Sequence, residues 1–132
     1  MKPLASEWVV KAEGDFAIME RESRVRKNPS FDGICFHAQQ CTEKYLKARL
    51  CEADIEFTKI HDLVALLDQV LLVEPQWETH REDLAYLSDF SVSFRYPGES
   101  ADRESALDAR RRCRRFRAAA RESLGLDPRL LV

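Results

Sequence analysis

The stretch from Ile34 to Ala48 constrains the fold more than any other part of this chain. Ile34, Ala38, Cys41, Tyr45 and Ala48 return at the spacing that stacks side chains on one face of an α-helix. His37, Gln40, Glu43 and Lys44 run beside that apolar stripe. A helix of this kind must bury its stripe against a second layer. Strand-like alternation is scarce in the remaining sequence, so the partners are expected to be helices too.

The helix is predicted from Phe31 to about Ala53, with Ser30 as its N-cap. Before it, Ser6 to Val25 carries Val9, Ala12, Phe16 and Met19 on one face, and Lys27-Asn28-Pro29 ends it because proline disfavours helix in the preceding residue. After it, a third helix starts at Thr58 or a neighbour and runs through Val64, Leu66, Leu67 and Val70 to about Val73. Thr79-x-x-Glu82 has the form of a capping box. It would open a fourth helix with Leu84, Leu87, Phe90 and Phe94, stopped by Pro97-Gly98. Ser100 or Asp102 caps a fifth helix to about Ser123, ended by Gly125 and Pro128. Long helices on short connections predict an all-α, antiparallel up-and-down bundle of four main helices plus one shorter one. With 132 residues and no break in composition, residues 1–132 read as a single domain.

No apolar run approaches the roughly 18 residues of a membrane span. Met1 to Val10 contains Glu7 and lacks a signal-peptide pattern, so the expectation is a cytoplasmic protein with no membrane contact. Cys35, Cys41, Cys51 and Cys113 form no CxxC pair and read as small apolar residues rather than a disulfide framework. No set of side chains has the spacing of a structural zinc site, so no metal or cofactor is expected.

Several residues can carry chemistry. His37, Gln40 and Lys44 share a helix face, where an imidazole, an amide and an ammonium can bind a phosphate or a nucleobase. The alternative is a solvated flank with ordinary i, i+4 contacts. His61-Asp62-Leu63 lies at the start of the third helix, where Asp62 favours the helix dipole. His61 could cap that helix or contact the second. In Arg95-Tyr96-Pro97, proline drives Tyr96 towards an extended conformation and places Arg95 at the rim of the bundle. That guanidinium can hold a phosphate or stack on a base, or it can hold the helix C-terminus.

Charge is uneven. The net charge is −2, yet residues 101 to 121 carry eight arginines against three carboxylates, a local +5 that leaves −7 elsewhere. In the fifth helix Ala109, Cys113, Phe116 and Ala120 face the core. Arg110, Arg114, Arg117 and Arg121 form a ridge beside them, with Arg111 and Arg115 further round. Such a ridge suits RNA phosphates or an acidic partner. Its alternative is pairing with carboxylates of the acidic remainder, of which Asp108–Arg112 is one candidate.

Four blocks in order resemble the HEPN family. They are Trp8-Val9-Val10-Lys11-Ala12-Glu13-Gly14-Asp15-Phe16; Cys35-Phe36-His37-Ala38-Gln39-Gln40 with Glu43-Lys44 and Leu46-Lys47-Ala48; His61-Asp62-Leu63 with Leu66-Leu67; and Arg95-Tyr96-Pro97. The resemblance implies a helical bundle that dimerises, nucleotide or RNA binding, and a minimal nucleotidyltransferase encoded alongside or fused. Ribonuclease members carry an arginine followed by a histidine with four to six residues between them. Here the corresponding positions hold Ser30, Phe31 and Asp32 before His37, Asp54, Ile55 and Glu56 before His61, and Val73, Glu74 and Pro75 before His80.

The resulting expectation is a homodimeric, toxin–antitoxin-like module without chemistry of its own. It binds a nucleotide, an RNA or a nucleotidyltransferase through His37, Gln40, Lys44, Arg95, Tyr96, Arg110, Arg114 and Arg117. One alternative is a divergent metal-independent ribonuclease, with His37 or His61 as general base and Arg95 stabilising the phosphorane charge. Another is an assembly protein whose only function is dimerisation.

Overall fold

The computed structural model describes residues 1–57, 60–94 and 96–130. Among them are five α-helices and no strand: α1 (Pro3–Ser23), α2 (Phe31–Glu52), α3 (Leu63–Val70), α4 (Arg81–Ser88) and α5 (Arg103–Ser123). Short 3-10 turns at Pro75–His80 and Asp89–Ser91 flank α4. The all-α class stands, but the proportions differ from expectation. Three helices are long and two, α3 and α4, have 8 residues each, in place of four main helices and one shorter.

Local chemistry explains each boundary. Pro3 takes the first helical position of α1, where its missing N–H costs nothing, so the helix starts before Ser6. Ser30 accepts the Gly33 amide at 3.0 Å and opens α2. A Cβ on Gly33 would come within 2.9 Å of that Ser30 oxygen, so the glycine leaves room for the cap. α2 ends in a Schellman turn: the Ile55 amide reaches Leu50 and the Asp54 amide reaches Cys51, with Asp54 at φ 58° in the place usually taken by glycine. Thr58 lies outside the described residues, and α3 begins only after Asp62 caps the amides of Val64 and Ala65. The Thr79–Glu82 capping box does not form. Pro75 opens a 3-10 turn in which the Thr79 hydroxyl donates back to the Gln76 carbonyl, leaving α4 without a side-chain cap. α4 also stops well short of Phe94, at Ser88, and Phe90 packs edge-on against Tyr86 and stacked on Phe94 beyond the helix. Asp102 caps α5 through the Ser105 amide, and Gly125 at φ 76° closes it in a second Schellman turn.

α2 is the central helix. α1, α3, α4 and α5 all pack on it, so even its polar residues Gln39, Thr42, Glu43 and Lys47 are buried. The core unites Phe16 and Met19 of α1, Tyr45, Leu46 and Leu50 of α2, Leu66 and Leu67 of α3, Leu84 and Leu87 of α4, and Phe116 of α5. Trp77, from the 3-10 turn, closes one side edge-on to Phe116 at 5.1 Å. Cys35, Cys41 and Cys113 are buried free thiols; burial, with Asp32 and Asp102 nearby, pushes Cys35 up to about 12. Among the described residues no helix is long and apolar enough to cross a membrane.

Candidate functional site on α2

Two polar clusters meet on one side of α2. The first joins α1 to α2. Asp15 projects from the core face of α1, and its two carboxylate oxygens take different partners: Oδ1 lies 2.7 Å from Nδ1 of His37, and Oδ2 lies 2.5 Å from Nζ of Lys44. Burial pushes the Asp15 carboxyl up, but the hydrogen bonds and charges of His37 and Lys44 outweigh it and hold it below its ordinary 3.8. An ionised Asp15 can only accept, so Nδ1 of His37 carries the proton and Nε2 is left for other contacts. Asp15 is buried, whereas the His37 and Lys44 side chains remain 23% and 21% exposed.

The second cluster centres on buried Glu43. It accepts from Gln39 at 3.0 Å and from Lys47 at 3.0 Å, and Nδ1 of His61 sits 3.1 and 3.2 Å from its two oxygens. The Lys47 ammonium also lies over the rings of Trp8 and Phe57. Every charge in this buried group therefore has a partner, which is the condition for burying it at tolerable cost. Gln40 bridges the clusters: it sits between His37 and Lys44 on the helix face and donates to Gln39 at 2.6 Å. The result is one continuous polar strip.

The structure thus brings together His37, Gln40, Lys44 and, through Glu43, His61. Of the two roles open to His61, contact with α2 is the one observed, while Asp62 does the capping. Arg95 lies outside the described residues; its neighbour Tyr96 is exposed.

The arginines of α5 are differently placed. Each inward carboxylate is clamped by two guanidiniums. Glu20 takes Arg110 at 2.8 and 2.9 Å and Arg114 at 3.1 Å. Asp83 takes Arg112 and Arg115, and Glu13 takes Arg117 in a two-point pair at 2.8 and 2.7 Å with Arg121 at 3.6 Å. Asp108 pairs with Arg111 and Arg112. Arg117 and Arg121 are buried, and Arg117 lies 3.9 Å from the Phe16 ring centre, so this part of the ridge faces inward. Arg111, Arg114 and Arg115 keep exposed side chains around Leu107.

Asp15, Glu13 and Glu20 escaped the sequence reading as functional or pairing residues. A signal for Asp15 was present, since it falls between Ala12 and Met19 on the apolar face of α1, where an acid needs a partner. Among the described residues no group of three or more His, Cys, Asp or Glu could hold a metal ion.

A family model described as HEPN domain matches residues 5–123. No curated protein and no solved structure matches.

Proposed function

The chain belongs to the HEPN family, and from that premise we propose that it is a binding module for a nucleotide or single-stranded RNA, engaged through His37, Gln40 and Lys44 and without turnover of its own. The observation that carries this reading is the half-open edge of α2. There two cation-forming side chains share one buried carboxylate, and Gln40 lies between them on the same helix face, so that an amide, an imidazole and an ammonium stand side by side. An incoming phosphate would exchange with Asp15 for the ammonium while base edges meet Gln40 and His37. Arg95, Tyr96 and the exposed Arg114 are candidate secondary contacts; Arg110 contributes once released from Glu20. A homodimer paired with a minimal nucleotidyltransferase, in a toxin–antitoxin-like arrangement, is the assembly in which such a module would act.

Titration of a labelled single-stranded RNA and of free nucleotides against the wild type and Lys44→Ala tests the reading. Binding weakened by about tenfold is expected, on the scale of one charge-assisted contact. Unchanged binding by the triple variant His37→Ala, Gln40→Ala, Lys44→Ala rejects the site.

A second reading rests on a specific geometry. His37 and His61 each present Nδ1 to a buried carboxylate, the arrangement that orients an imidazole as a general base. A divergent ribonuclease would cleave RNA in EDTA and lose that activity in His37→Ala or His61→Ala. Intact RNA after prolonged incubation with the wild type leaves the binding module.

A further inference from the structure

The outer face of α5 combines an apolar centre with more positive charge than the carboxylates around it offset. Arg103, Leu107, Arg111 and Arg114 recur at steps of four, four and three residues, so they share one side of the helix, away from the buried Ala109, Cys113 and Phe116. Leu107 is 50% exposed and lines three adjoining depressions. One is walled by Arg110, Arg111, Arg114 and Arg115, and one by Arg103, Glu104, Asp108 and Arg111. The third runs to Phe31 and to Val25, itself 41% exposed. Glu20 is held by Arg110 and Arg114 and also feels the charge of Arg24, while Asp108 is shared by Arg111 and Arg112. Arg103 lies over the Phe31 ring and has no ion pair among the described residues. Arg111 and Arg114 each commit one N–H to a carboxylate among the described residues, of the five that a guanidinium carries. A second carboxylate can therefore be accepted here without breaking the internal pairs.

We propose that this face docks an acidic amphipathic helix of a partner protein, which seats one apolar side chain against Leu107 and sets Asp or Glu side chains on Arg103 and Arg111. Helix geometry supports that register. Residues four apart lie about 6 Å apart along a helix axis. Acids four residues before and after a partner's apolar anchor therefore meet Arg103 and Arg111, which stand four residues before and after Leu107. The chemistry favours a peptide over a nucleic acid. A phosphate strand has nothing to bury against the exposed Leu107 side chain. Glu20, Glu104 and Asp108, interleaved with the arginines, repel a continuous run of phosphates but leave gaps for spaced carboxylates. Phe31, the ring that lines this face, already carries Arg103 and is not open for base stacking. Leu107, Arg103 and Arg111 take no part in the ligand site proposed on α2, so either reading can fail without the other.

Fluorescence anisotropy tests it, with the full chain and a labelled, alanine-based helical peptide of about 15 residues. The peptide carries a central leucine and glutamates three and four residues to either side. The wild type is expected to bind it at low salt with a dissociation constant of about 100 µM. Exchanging the peptide's glutamates for glutamines is expected to weaken binding about tenfold, and so are Leu107→Ser and Arg111→Glu in the protein. Both side chains are exposed, and circular dichroism checks that the variants keep their helices. A single-stranded oligouridylate, titrated alongside, is expected to treat both variants as it treats the wild type. No binding of the acidic peptide up to about 1 mM overturns the proposal. So does equal binding of the glutamine peptide, or equal binding by either variant. Oligouridylate binding that the two variants weaken as strongly as they weaken the peptide would give the face to nucleic acid. A changed association state of Leu107→Ser in sedimentation would give it to a second copy of the chain. Either result overturns the proposal as well.

Discussion

Arg117 of α5 donates to both carboxylate oxygens of Glu13 on α1, at 2.8 and 2.7 Å, while the Tyr45 hydroxyl of α2 donates to the same carboxylate at 2.5 Å. The pair ties the three long helices at one point inside the bundle. Removing Arg117 leaves the half-buried Glu13 carboxylate with only the Tyr45 hydroxyl and the more distant Arg121 as partners. Arg117→Ala is therefore expected to cost about 3 kcal/mol in urea unfolding, and Arg117→Met nearly as much, because Glu13 remains. An effect below about 0.5 kcal/mol would mean that Arg121 takes over the carboxylate.

Stability should fall on the acid side in two stages. Burial raises Glu13, Asp15 and Glu20, but their arginine, lysine, histidine and tyrosine partners outweigh it and hold all three below their ordinary 4.5, 3.8 and 4.5. Their contribution is complete above those values and is lost as pH falls through the lower folded ones. His80 is shifted down chiefly by burial. The unfolded chain therefore takes up its proton first, and stability begins to decline below the ordinary 6.5. Melting temperatures measured from pH 8 to 3 should show a shallow decline below about 6.5 and a steep one below about 4.5. His80→Gln should remove only the shallow limb.

Binding of RNA should depend weakly on salt. Were the α5 arginines to contact phosphates together, five or more counterions would be released and the slope of log K against log salt would approach about −4. Four carboxylates already pair with seven of the eight and offset half of their charge. A slope no steeper than about −2 is expected from fluorescence anisotropy, and a steeper one would place the ligand on α5.

Asp54 occupies a left-handed position at the end of α2, with φ 58°. Asp54→Gly relieves that conformation and is expected to raise stability by roughly 0.5 kcal/mol, less the exposed Lys2–Asp54 contact it removes. Differential scanning calorimetry measures the change.

Long helices were legible where a cap announced them. Ser30 and Asp102 each stand three residues before the amide they accept, and α2 and α5 begin where those residues say. The middle of the chain was less legible. Thr79 and Glu82 have the right types and spacing for a capping box, but Pro75 commits the preceding residues to a 3-10 turn that engages the Thr79 hydroxyl elsewhere. Half of the candidate site could be read from α2 alone, since His37, Gln40 and Lys44 share a face through helix geometry. The role of Asp15 could not be assigned, because its partners His37 and Lys44 sit on another helix, and although Gln39 and Lys47 flank Glu43 one turn away on α2, its contact with His61 crosses elements, where helix spacing says nothing about which faces meet. The partners of the arginine ridge were hidden for the same reason, Asp108–Arg112 on α5 itself excepted. Periodicity places Arg110, Arg114, Arg117 and Arg121 side by side, but only the packing of α1 shows that Glu13 and Glu20 are waiting opposite.

The clamps of Glu13 and Glu20 also set an order of events. Their arginines lie 104, 90 and 94 residues further along the chain. During synthesis, α1 leaves the ribosome with its acids bare, and α2 can dock on it long before α5 exists. Those ion pairs can close only once α5 has been made, well after α1 and α2. A stop codon ahead of Arg110 would therefore leave more than a shorter protein. The released chain would have two carboxylates stranded against its apolar surface, a natural substrate for chaperones and proteases.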